Sequence, residues 1–165
     1  MPNTLTKAIT ENFDGRILAY TALGADAVAD SYTTTTSMVN VDGHGYINFV
    51  APPSGNVEIF ASVYVDTTAA RPLVFGLSDN LTYNAVDVTH EHIVYTGDET
   101  DEEVVSNNWI ITGLTEGATI RYYLGVKTTA TNSAYVLRWG GEASAEYPPL
   151  IMKATALPST IQDGT

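Results

Sequence analysis

The chain has 165 residues, is 44% hydrophobic, and carries 19 acidic against 7 basic side chains, a formal net charge of −12. That length is enough to close one core without staples, and the absence of cysteine removes disulfides and thiolate metal sites from consideration. So negative a chain repels phosphate backbones and anionic lipid, which argues against nucleic acid and membrane as partners, and no apolar run of about 18 residues offers a bilayer span.

Residues 1–15 are polar, with Pro2 and several threonines, and read as an N-terminal arm that starts extended. They lack a charged stretch followed by an apolar core, so they do not read as a signal peptide. Residues 16–29, RILAYTALGADAVA, predict a strand at 16–22 and irregular chain after it. The threonine-rich run at 32–37 favours extended backbone because threonine is β-branched, and reads as an exposed edge strand or loop.

Residues 45–66, GYINFVAPPSGNVEIFASVYVD, organise the rest. Val57, Ile59, Ala61, Val63 and Val65 fall on one face, and Glu58, Phe60, Ser62, Tyr64 and Asp66 on the other. A period of two marks a half-buried strand, since successive side chains point to opposite faces of a sheet. Ile47, Phe49 and Ala51 repeat the alternation upstream, and PPSGN supplies turn chemistry, so the stretch predicts a central hairpin. Further strands are expected at 71–78, where the proline stands at the strand start, and at 90–96, 104–114, 118–127, 133–139 and 147–157. Residues 79–89 read as a loop with a short strand inside it, and 97–103 as a charged turn. Thr115-Glu116-Gly117 reads as a hairpin connection between its flanking strands. About eight short strands at this spacing, with little helix, predict an all-β sandwich or barrel. The expected organisation is an arm at 1–15, one β-sandwich domain at 16–158 and a polar tail at 159–165.

No motif points to a reaction or a cofactor. His90 and His92 share one strand face and could approach a metal, but no further ligand announces itself. Asp98, Glu99, Asp101, Glu102 and Glu103 cluster without calcium-loop spacing and read as a solvated turn. Tyrosine dominates the aromatics, with 10 Tyr against 4 Phe and 2 Trp, which suits interfaces and sugar-binding faces. Tyr122 and Tyr123 are expected to put one ring in the core and one outward. The segment YPPLIMKATAL is too apolar to lie open, and must either close the sandwich or pair with another chain.

YINFVAPPSGNVEIFASVYV, WIITGLTEGATIRYYLGVK and RWGG…YPPLIMKATALP resemble segments of jelly-roll structural proteins of tailed bacteriophage virions, over most of residues 45–158. The resemblance implies a jelly-roll-like antiparallel sandwich with extended terminal arms, non-enzymatic and commonly trimeric. It implies a capsid decoration (cement) protein, made in the host cytoplasm, that binds the major capsid protein on the outer surface of the virion head. The alternative is a receptor-binding fibre head that holds host glycans through exposed tyrosine and Trp109 or Trp139. The expected subunit or capsid contacts are Leu5, Ile9 and Phe13 of the arm with Tyr147, Leu150, Ile151, Met152 and Leu157 of the apolar segment.

Overall fold

Alternating side chains build the molecule, so its elements are strands. The computed structural model describes residues 14–25, 30–67, 72–84, 91–95, 102–129, 135–141 and 146–162, with backbone alone at 67, 92–95 and 146. Among them are β1 Ile17–Leu23, β2 Asp30–Thr33, β3 Val39–Asn40, β4 Tyr46–Val50, β5 Val57–Thr67 and β6 Leu73–Ser78. There follow β7 Glu91–Tyr95, β8 Glu102–Ile111, β9 Thr119–Thr128, β10 Tyr135–Gly141, β11 Glu146–Tyr147 and β12 Leu150–Ala156. The described residues contain no helix, and every strand pair is antiparallel.

β5 is the spine of the larger sheet. One edge pairs with β8 from Val57↔Ile111 to Asp66↔Glu102. The other edge is shared end to end: β12 takes Val57 to Ser62 and β10 takes Tyr64 to Thr67. β1 flanks β12, while β2 and β11 pair with β10. In the smaller sheet β9 carries β3 and β4 along one edge and β6 along the other, with β7 outside β6. Eight of these strands thus run β1-β12-β5-β8 in one sheet and β4-β9-β6-β7 in the other. That is the strand order of a jelly roll, and the expected all-β sandwich is the fold found.

The inward half of each alternation makes the core. Val57, Ile59, Val63 and Val65 have at most 2% exposure, and Ile47, Leu73, Leu77, Leu124 and Leu137 have none. Burying each such side chain is worth about 1.5–3 kcal/mol. β12 is an interior strand whose Leu150, Met152, Ala154 and Ala156 are all fully buried, so the apolar segment closes its own sandwich.

Both expected hairpins are corrected. β4 and β5 belong to different sheets, as do β8 and β9, so residues 51–56 and 112–118 are corners that carry the chain across the core. Turn residues set the local bend and leave the strand partner open, which is why either reading fits PPSGN. The two corners hold each other. Ala51 N–H donates to Ala118 O at 2.9 Å, Gly117 N–H to Ala51 O at 3.0 Å, and Leu114 N–H to Gly55 O at 3.0 Å. Gly55, at φ 67°, is required there, because a Cβ would stand 2.6 Å from Leu114 O. Downstream, Asn56 Nδ2 donates to Pro158 O at 2.8 Å and ties the start of the C-terminal tail to the same end. β8 begins at Glu102, so the end of the expected charged turn is strand instead.

Candidate functional site

The outward half of the alternation on the larger sheet makes a continuous face. Cross-strand register sets Tyr20, Lys153, Phe60 and Asn108 in one row, and Ala22, Ile151, Ser62 and Ser106 in the next. Beyond β12, Arg138, Tyr64 and Val104 form a further row. Tyr20 is 56% exposed, Val104 50% and Ile110 45%, while Phe60, Tyr64 and Ile151 are half-buried. Aromatic and aliphatic side chains interleaved with Arg and Lys compose the kind of surface that proteins dock through.

Charged groups anchor the aromatic ones. Lys153 Nζ lies 5.2 Å from the Phe60 ring centroid, a cation–π distance. Arg138 pairs with Asp66 at 2.9 Å and stands 5.4 Å from the Tyr147 ring. The Tyr64 and Tyr147 rings are 5.0 Å apart and tilted by 46°, and the Tyr64 hydroxyl donates to Glu102 Oε2 at 2.6 Å. Burial, then the Glu102 bond and charge, push the Tyr64 pKa up to about 12. Tyr64, Tyr147, Arg138, Asp66 and Glu102 thus put aromatic faces beside a guanidinium and two carboxylates, a mixture able to stack on a sugar ring or seat a partner's side chain.

On the smaller sheet the outer face is partly covered by its own chain. Tyr83 lies over Gly76 and Gly125, beside Met38. Its hydroxyl faces Glu91, which is ion-paired to Lys127. Farther along, Tyr46, Asn48, Arg121 and Tyr123 form a second polar–aromatic group. At the corner end, a groove of about 490 Å³ runs between Ile17 and Leu18 of β1 and Val50 to Pro53.

The expected contact residues separate. Tyr147 and Ile151 lie on the outer face of the larger sheet, and Leu157 is half-buried where Leu157 N–H bonds Asn56 O. Leu150 and Met152 have no exposed surface, because they occupy the inward positions of β12, so they are corrected from contact to core. Leu5, Ile9, Phe13, His90, Asp98, Glu99 and Asp101 lie outside the described residues, as does the His92 side chain. Among the described residues no group of three His, Cys, Asp or Glu could hold a metal. Trp109 and Trp139 are 1% and 3% exposed, which corrects their expected role as sugar platforms. Tyr122 and Tyr123 are both 6% exposed: Tyr122 enters the core, and Tyr123 on the opposite face packs with Tyr46 and Arg121.

Phe60, Arg138, Lys153 and Arg121 are the members that motif reading passes over. Their signal lies in the outward half of β5, where Phe60 and Tyr64 are bulky aromatics at positions that alternation assigns to solvent. The chain matches no protein-family model and no curated protein.

Proposed function

We propose that the protein is a non-enzymatic structural protein of a tailed-phage virion, a decoration protein that acts as a homotrimer on the outer surface of the head. In this reading it bridges copies of the major capsid protein and adds interface area against internal pressure. The observation that carries the reading is the outer face of the larger sheet. Tyr20, Phe60, Ile151, Val104 and Ile110 place exposed and half-buried apolar groups across it, interleaved with Lys153, Asn108, Ser62 and Ser106. Specific docking buries about 800 Å² per partner, and repetition over a lattice multiplies a modest affinity. Acidity suits a protein that must stay soluble beside packaged nucleic acid.

The test is co-sedimentation of the purified protein with heads that lack it. The wild type is expected to pellet at a fixed ratio to the capsid protein, and Phe60→Asp or Ile151→Asp to stay in solution with an unchanged circular dichroism spectrum. Wild-type protein that never pellets with heads would end this reading.

A second reading is a receptor-binding fibre head. The Tyr64–Tyr147 pair supports it, with Arg138, Asp66 and Glu102 around it in the manner of a sugar site. A glycan array separates the two: hits that vanish in Tyr64→Ala, without head binding, favour the fibre head.

A further inference from the structure

Among the described residues Arg121, like Lys153, sits over an aromatic ring with no carboxylate partner, and Arg121 is also held by side-chain hydrogen bonds. Lys127 and Arg138 each hold a carboxylate, from Glu91 and Asp66. Among the described residues no carboxylate is paired with Arg121, whose side chain is exposed. An arginine left unpaired by acids in a chain of net charge −12 calls for a reason.

Its surroundings hold it in one geometry. Asn48 lies directly opposite Arg121 across β4 and β9, and Tyr46 directly opposite Tyr123. Arg121 Nε donates to Asn48 Oδ1 at 2.7 Å, and Nη1 donates to the Tyr123 hydroxyl at 3.2 Å. The guanidinium carbon stands 4.6 Å from the Tyr46 ring centroid, and the two tyrosine rings are 5.5 Å apart. Tyr123 is 6% exposed, so its hydroxyl is a fixed anchor. These contacts leave Nη2 and the remaining Nη1 hydrogen for a further acceptor, the pair with which arginine grips a carboxylate bidentately. Fixing the side chain beforehand removes much of the entropy cost of binding. Val50, on the same outer face two residues beyond Asn48, is 57% exposed and offers apolar surface next to the charge.

The field of the whole chain narrows the ligand. A polyanion meets the repulsion of the net charge at every one of its charges, whereas a neutral body with one carboxylate meets it once. We infer that Arg121, Asn48, Tyr46 and Tyr123 form a binding site for a sugar bearing a single carboxylate, of the uronic acid class. The carboxylate takes the free edge of Arg121, and the ring carbons lie against Tyr46 and Val50. The site is on the smaller sheet and stands independently of the docking face on the larger one.

The experiment is an NMR titration of the full chain, following the Arg121 Nε–H signal and the backbone amides of β4 and β9. The probes are methyl glucuronide, methyl glucoside, acetate and a short glutamate peptide. Methyl glucuronide is expected to shift Arg121, Tyr46 and Tyr123 with affinity no tighter than about millimolar, since an exposed ion pair alone contributes little. Methyl glucoside is expected to leave them unmoved, and acetate and the peptide to bind about tenfold more weakly. Arg121→Lys keeps the charge but not the fork and should weaken binding about tenfold, and Asn48→Ala should weaken it several-fold. Either variant must keep the wild-type amide dispersion, and Arg121→Gln serves as a second loss of the fork. The inference is overturned if methyl glucuronide leaves the Arg121 signal in place. Equal shifts from glucoside, or equal affinity for acetate or the peptide, overturn it as well.

Discussion

Gly76 and Gly125 face each other across β6 and β9, and the Tyr83 ring rests on the bare backbone they leave. All six residues of β6 are buried: Leu73, Phe75 and Leu77 face the core, while Gly76 on the outer side lies under Tyr83. A Cβ on Gly125 would collide with the edge of the Tyr83 ring, and one on Gly76 with its hydroxyl. Gly125→Ala is therefore expected to destabilise the protein by about 1–3 kcal/mol, the usual cost of overpacking. In a Tyr83→Ala background the same change should cost far less, since the colliding ring is gone. Urea midpoints for the four members of the cycle measure the coupling.

Tyr83 also makes stability depend on alkaline pH. Burial first, then the charge of Glu91, push its pKa from 10.0 up to about 12. Below about pH 10 folded and unfolded chains both keep the proton, and the contribution is fully present. As pH rises from about 10 towards 12 the unfolded chain gives it up first, so stability falls through that window. Tyr64, also raised to about 12, acts in the same direction. Tyr83→Phe should flatten, without abolishing, the decline of the urea midpoint above pH 10. An equal decline in both proteins would show that Tyr83 plays no part.

Neighbours on β12 should behave as opposites. Met152 has no exposed surface, and Met152→Ala is expected to cost about 2–5 kcal/mol through the cavity it leaves. Ile151 points the other way, and Ile151→Ser should stay within about 1 kcal/mol of wild type in urea while weakening head binding. Similar losses of stability from both changes would contradict the facing of the strand.

Both tryptophans of the chain are sealed in the core, Trp109 at 1% and Trp139 at 3% exposure. Native fluorescence should be blue-shifted and resist quenching by acrylamide, and unfolding should shift it red. Sugars that bind either outer face should leave it unchanged.

The sequence reveals which way side chains point far better than which strands meet. Val57 to Val65 on β5 and Leu150 to Ala156 on β12 carry a period of two that survives without knowledge of the neighbours, because pleating is a property of one strand. Membership of a sheet depends on what lies across the gap. PPSGN and TEG encode bends, and those bends serve corners between sheets here as well as they would serve hairpins. The outer-face clusters were out of reach for a related reason. Arg121 and Asn48 are 73 residues apart, and Arg138 and Asp66 are 72 apart, so only the finished topology makes them partners. Tyr123 follows the same logic: alternation rightly turns it away from the core, and Tyr46 and Arg121 then cover it.

The divided edge of β5 bears on how the protein is made. Among the described residues β5 is bonded only to strands synthesised after it, and β1 waits for β12. When β9 has been synthesised, β8 exists to pair with β5, but β10 and β12, the partners of its far side, do not. The larger layer is thus completed only after translation has passed residue 156, and until then that raw edge is exposed to chance pairing with another nascent chain.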